Sequence, residues 1–206
     1  VEKVHGAIKW VSNPMTAPFQ IRMQHNRAAK AKIAVRVSEM IPDGASVAID
    51  AGSSNGFVAQ ALQMRRQLTV VTNSAFVAST LSMIDGNKVH FAGTLLRDYD
   101  GASYDRSAFE TVERMHVDYC ILTVAQVHHN RGFLVAAQNE ADMAQALAGI
   151  SEQVIFAVDH SKFMQGGSSG LLSLGEFSPR PWLITDKDPT GSIPNIAEFA
   201  QVHIAP

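Results

Sequence analysis

The sequence has a single cysteine, Cys120, so an intrachain disulfide is excluded and no cysteine cluster exists to hold zinc. Seventeen basic residues face nineteen acidic ones, and the near-neutral total lacks the basic excess of a nucleic-acid-binding domain. No apolar run reaches the ~18 residues needed to cross a bilayer, and the start is no signal peptide. A reducing, cytoplasmic setting is therefore expected. Internal repeats are absent, and no linker is long enough to separate a pair of large domains. The first residue is Val1 rather than Met, which suggests a fragment or a processed product.

What is present is a series of short apolar runs, each ending in small polar residues. Val47 to Ile49 has no polar alternation, which suits a central parallel strand covered on both faces. It runs into Asp50, Gly52, Ser53, Ser54 and Asn55 at the start of a helix, where glycine permits close approach and the first-turn N–H groups and helix dipole favour an anion. An ordinary capped turn has the same composition. Leu68–Thr72 ends in Thr72, Asn73 and Ser74, and Val89–Phe91 ends in Ala92, Gly93 and Thr94. In a parallel sheet those ends share one edge, where open α/β folds bind ligands. Val117–Val124 and Val154–Val158 read as further strands, the second leading into Asp159, His160, Ser161, Lys162 and Phe163.

Helices are expected from Asn26 to about Ile41, over 57–65, up to Met83, over 109–115, from Gln138 to Ile150 and from Ile193 to Phe199. Residues 1–21, with Gly6, Pro14 and Pro18, read as an extended lead-in, and 22–206 as one domain. Arg22, Arg27, Lys30, Lys32 and Arg36 make the next segment basic, either as a solvated helix face or as a contact for an anion. The charged stretch 94–107 reads as a lid. His128 to Gly132 reads as an exposed loop rather than a metal site, and Gln165–Gly170 as flexible. Short strands at Leu171–Leu174, Trp182–Thr185 and Val202–Ile204 make a small C-terminal subdomain or extension. The fold class is α/β, a mainly parallel sheet with helices on both faces.

Taken in order, Val4 to Gly6, Lys30 to Ala34, Ile49 to Ser54, Val71 to Ser74, Ala92 and Gly93, Leu96 and Arg97, Asp118 to Leu122, Glu140 and Ala141, and Asp159 to Phe163 resemble the DeoR family of bacterial transcriptional regulators. The resemblance covers nearly the whole chain. It implies the C-terminal effector-sensing domain, with a fold similar to ribose-5-phosphate isomerase and CoA-transferase-like proteins. An upstream helix-turn-helix outside this chain would bind DNA, and a phosphorylated sugar or polyol would modulate that binding, most simply as a repressor. Gly52, Ser53, Ser54 and Asn55 match the family's first ligand loop, Thr72, Asn73 and Ser74 its second, and Arg97 and Lys162 its basic positions. Lys162 would neutralise a phosphate and Arg97 grip it bidentately from the lid. Asp50 would accept hydrogen bonds from sugar hydroxyls or from its own turn, and Gly93 joins the ligand set. Lys162 has a simpler alternative, an ion pair with Asp159.

Three departures from the family pattern fall near the inferred pocket: Thr94 after Gly93, Asp105 in place of a glycine, and Ala144 and Gln145 in place of a basic pair. No cofactor, metal, catalytic residue or membrane contact is expected. Homo-oligomerisation is, since readers of paired half-sites are commonly two-fold symmetric. The alternative is a sugar-phosphate isomerase with Asp100, Asp105 or Glu140 as base. A dinucleotide-binding domain fits poorly, because Gly52 to Gly56 does not supply Gly-x-Gly-x-x-Gly and Thr72 stands where an acid would be needed.

Overall fold

The computed structural model describes the backbone of residues 2–4 and 7–9, and all of 17–164 and 166–206. His5, Gly6 and Pro14, which enter the reading of the lead-in, and Gln165 lie outside the described residues. Two short strands, β1 (Glu2–Val4) and β2 (Ala7–Lys9), pair antiparallel.

Seven strands form an all-parallel sheet: β3 (Ser46–Ile49), β4 (Thr69–Thr72), β5 (Lys88–Phe91), β6 (Val117–Leu122), β9 (Ser151–Ala157), β11 (Trp182–Thr185) and β12 (Gln201–Ile204). Their spatial order is β12-β11-β9-β6-β3-β4-β5. Successive residues of a strand face opposite sides of the sheet, and both sides here are covered. Val47, Ile49, Ile121, Ile155 and Ala157 face one core, where α2 (Arg27–Met40), α3 (Ser53–Leu62) and α4 (Ala75–Ser82) pack. Ala48, Cys120, Leu122, Val154 and Phe156 face the other, under α5 (Arg106–Val112), α6 (Gln138–Gly149) and α7 (Ile196–Phe199). This double burial explains why the strands read as unbroken apolar runs. Among the described residues no helix is long and apolar enough to cross a membrane.

The structure adds elements beyond those expected. Helix α1 (Phe19–Gln24) precedes α2, so regular structure begins inside the segment read as lead-in. The stretch from His128 to Gly132 is the tip of a hairpin, β7 (Gln126–His128) and β8 (Gly132–Val135), which β10 (Leu172–Ser173) extends to three strands. Phe133 from this hairpin stacks on Phe156 of the main sheet at 3.7 Å between ring centroids. The C-terminal extension is the edge of the main sheet itself, with β11 buried like β9 before it.

Strand order reverses between β3 and β6: from β3 the chain moves outward through β4 and β5, then returns to β6 on the other side. The loops leaving β3 and β6 therefore diverge and leave a crevice at the carboxyl ends of the strands.

Candidate functional site

That crevice is a cavity of about 780 Å³, lined among others by Arg22, Lys30, Asp50, Gly52, Ser53, Ser54, Asp100, Tyr104, Glu140 and Lys162. Its floor is the turn from β3 to α3. Gly52 has φ +144, and a Cβ there would stand 2.4 Å from Thr123 Cγ2 in the loop after β6, so only glycine lets the two loops close together. Gly52 provides no side-chain cap for the first-turn N–H groups of α3, and Ser53 and Ser54 of that turn line the cavity.

Charged groups fall into two sets. Lys30 is 4% exposed, and its Nζ donates to Ser53 Oγ at 3.0 Å and to the Arg22 carbonyl at 2.6 Å. Burial, the largest influence, lowers its pKa to about 8; the Asp159 carboxylate opposes this, while Lys162 and Arg22 add to it. Lys162 is likewise lowered, first by burial and then by Arg22, with Asp159 again opposing. Asp159 belongs to this set. Burial disfavours its charge, but hydrogen bonds from Ser161 and Asn26 and the Lys162 charge hold its pKa below the ordinary value. The alternative role of Lys162, attraction to Asp159, is thus present, and both residues line the cavity.

The second set is acidic. Asp50 is 6% exposed, and its Oδ1 accepts from the Ala51 N–H at 2.7 Å. Burial pushes its carboxyl up to about 7, and Glu140 and Asp100 add to the rise while hydrogen bonds from Ala51 and Asn73 oppose it. Tyr104 is kept a neutral phenol by burial, reinforced by Asp50. Arg22 joins the two sets, with Nη2 3.7 Å from Asp100 Oδ2.

Of the residues expected to bind ligand, Asp50, Gly52, Ser53, Ser54 and Lys162 line the cavity, and Asn55, Thr72, Asn73, Ser74, Gly93 and Arg97 stand behind its wall. Asn55 donates to the carbonyls of Asp50 and Ile121, tying β3 to β6. Asn73 accepts from the Ala51 N–H and donates to the Ser103 carbonyl. Thr72 Oγ1 accepts from the Ser74 N–H, and the Ser74 hydroxyl caps α4 by accepting from Val77. The turn after β4 therefore spends its polar groups within the fold, whereas Ser53 and Ser54 after β3 line the cavity. Gly93, at φ +116, packs against Ser103 where a Cβ would come within 2.0 Å of Oγ.

Arg97 uses its fork on a protein carboxylate. It reaches both Asp100 oxygens, at 3.0 and 2.6 Å, and Glu140 Oε1 at 3.2 Å, while stacking on Tyr99 and Tyr104. It orients the acidic set from behind rather than facing the cavity.

The departures also sit outside the cavity lining. Two of them answer each other: Asp105 Oδ2 accepts from the Thr94 N–H and hydroxyl, both at 2.8 Å, and Asp105 Oδ1 caps α5 through Ala108. Ala144 is buried in α6.

Sequence reasoning left Lys30 between two alternatives, and the structure resolves them residue by residue. Lys30 and Arg22 line the cavity; Arg27 and Lys32 are exposed, and Arg36 pairs with Glu39. The signal was available, since Lys30 leads the stripe Ile33, Ala34 and Val37 at helical spacing. Gln126 and Thr123 were missed as cavity residues, and nothing in their local sequence marks them; Ser161 lies in the Asp159 to Phe163 motif but was given no role. Among the described residues, no group of three His, Cys, Asp or Glu is placed to hold a metal.

A family model described as the DeoR C-terminal sensor domain matches residues 25–187. The chain is similar to the glycerol-3-phosphate regulon repressor of Escherichia coli (strain K12), 29% identical over 189 residues that cover 92% of this chain and 74% of that protein. It is also similar to the transcriptional repressor AccR of Agrobacterium fabrum (strain C58), 30% identical over 80% of this chain and 64% of that one. Among solved structures, ribose 5-phosphate isomerase A from Methanocaldococcus jannaschii matches with a TM-score of 0.50 and 12% identity, over 66% of this chain and 54% of its own. The beta subunit of eIF2B from Chaetomium thermophilum matches with a TM-score of 0.51 and 20% identity, over 72% of this chain and 48% of its own. These two share the fold.

Proposed function

Because the chain belongs to the DeoR C-terminal sensor domain family, and is the sensing region of a DeoR-type transcriptional regulator, we propose that its cavity binds a phosphorylated sugar or polyol. The observation that carries this is the division of the cavity into a cationic and an acidic set. Lys30, Lys162, Ser53, Ser54 and the first-turn N–H groups of α3 would hold the phosphate, where oriented donors, the buried Lys30 ammonium and the half-buried Lys162 ammonium need no rearrangement. Asp50, Glu140 and Tyr104 would take the hydroxyls. The E. coli relative's name supplies the first compound to try, glycerol 3-phosphate.

Sensing requires no bond to break. The effector needs only a different affinity for two arrangements of the regulator, and a typical coupling is ~1–3 kcal/mol. Residues 22–206 would form the sensing unit, with 1–21 leading from an upstream helix-turn-helix that reads DNA. The regulator would act as a homo-oligomer in the cytoplasm, a setting that suits the buried free thiol of Cys120.

Thermal melting against a panel of sugar and polyol phosphates tests the reading. A phosphorylated member of the panel is expected to raise Tm, since ligands that bind only the folded state stabilise it. A folded protein whose Tm no member shifts would contradict phosphate sensing.

One observation favours a second reading. A buried cavity carboxyl near neutrality, Asp50, is also what proton transfer from carbon requires. Incubation with sugar phosphates in deuterated water separates the two: a sensor leaves carbon-bound hydrogen in place, and an isomerase exchanges it.

A further inference from the structure

Helix α1 sits on the core through one face and reaches the cavity with the other. Phe19 packs on Phe76 at 5.0 Å between ring centroids, and its N–H donates to the Tyr99 carbonyl at 2.8 Å. Beneath it, Gly56 of α3 leaves so little room that a Cβ there would stand 3.1 Å from Phe19 and 3.2 Å from Met23 Sδ. The opposite face carries Ile21, Arg22 and His25 to the cavity. The Arg22 side chain is 15% exposed, and its nearest ion partner, Asp100 Oδ2, stands 3.7 Å away. Its Nε and Nη2 are buried and make no hydrogen bond among the described residues. Two guanidinium nitrogens removed from water without hydrogen-bond acceptors are a costly arrangement, and an anion in the cavity would relieve it. The Arg22 carbonyl, in turn, accepts from Lys30 Nζ, which also holds Ser53 in the turn after β3.

We propose that Arg22, carried on α1, is the bidentate clamp for the effector's anionic group, and that its engagement fixes α1 against the core. Occupancy is thereby passed to the segment of chain that precedes the sensor. This inference rests on the phosphate reading of the cavity, and adds a contact and a route that the resemblance does not assign. Arg97, its fork already closed on Asp100, supports that contact from behind.

The test uses inorganic phosphate and glycerol 3-phosphate as probes, with calorimetry for affinity and hydrogen exchange of residues 19–24 for α1. In the parent, phosphate is expected to slow exchange in α1. Arg22→Gln is expected to weaken binding about ten- to a hundredfold, the loss of a charge-assisted pair, and to abolish that protection. Arg22→Lys keeps charge and packing without the fork, so it carries the test if the glutamine variant fails to fold; it is expected to recover only some of the affinity. Arg27→Gln, on the exposed face of α2, is expected to bind as the parent does. Parent-like binding in Arg22→Gln, unchanged α1 exchange on saturation, or an equal loss in Arg27→Gln would overturn the clamp while leaving the anion site standing. If Lys162→Gln and Arg22→Gln behave like a parent that binds neither probe, the phosphate reading fails and the clamp with it.

Discussion

Single residues decide this site through what burial does to their charge. Asp50 sits in the fold with a carboxyl near pH 7 and in the unfolded chain with the ordinary value of 3.8. Between those values the folded state binds the extra proton, so stability falls as pH rises from about 4 to about 7 and levels off above. Asp50→Asn keeps the acceptor for the Ala51 N–H and removes the ionisation. It is expected to lie close to the parent at pH 4 and to exceed it at pH 8, by up to about 4 kcal/mol, in urea unfolding. Equal midpoint differences at both pH values would refute the assignment. Lys30 titrates near 8 before a ligand arrives. Deprotonation of Lys30 and ionisation of Asp50 both disfavour an anion, so phosphate affinity is expected to fall as pH rises through 7 and 8; calorimetry at pH 6.5 and 8.5 checks it. Gly93 makes a different kind of demand, purely steric. Gly93→Ala drives a methyl into Ser103 at a positive φ, and is expected to cost on the order of 2 kcal/mol or more of stability without a direct contact to ligand.

At the level of elements, what was legible and what was not follow from burial. Strands β3, β4, β6 and β9 could be read because both faces are covered, which leaves their sequences apolar without alternation. Helix α2 could be read from an alanine-rich segment with Ile33, Ala34 and Val37 on one stripe. Helix α1 could not: it is six residues long, follows Pro18, and owes its place to Gly56 and Phe76 on distant elements. The hairpin of β7 and β8 was hidden by a polar tip, although Phe133 anchors it in the core. That hairpin also fastens the wall over 166–171. Gln126 Nε2 donates to the Met164 and Gly166 carbonyls, and Arg131 donates to those of Ser168 and Leu171. Arg131→Ala is expected to speed hydrogen exchange across 166–171 while changing global stability by less than about 1 kcal/mol, because the side chain is exposed. Phe133→Ala removes the ring stacked on Phe156 and is expected to cost ~3–5 kcal/mol.

Across the whole molecule, the topology brings the chemistry together. The sequence could show that several strands end in small polar residues, and that one edge would collect them. It could not show which turn would face outward, because that depends on whether a hydroxyl finds a local partner: Ser74 caps its own helix, whereas Ser53 meets Lys30 from a helix more than twenty positions earlier. Nor could it show that Arg97 and Asp100 would satisfy each other and leave Arg22 to face the cavity. The result is a cavity lined by both a cationic and an acidic set of groups, placed where the order of the parallel strands reverses. Calorimetric titration of the chain with glycerol 3-phosphate and hexose phosphates, each beside its unphosphorylated counterpart, probes that arrangement most directly. Binding that needs the phosphate and weakens at least tenfold in Lys162→Gln is the expected result. Equal binding of an unphosphorylated counterpart, or affinity untouched by Lys162→Gln, contradicts it.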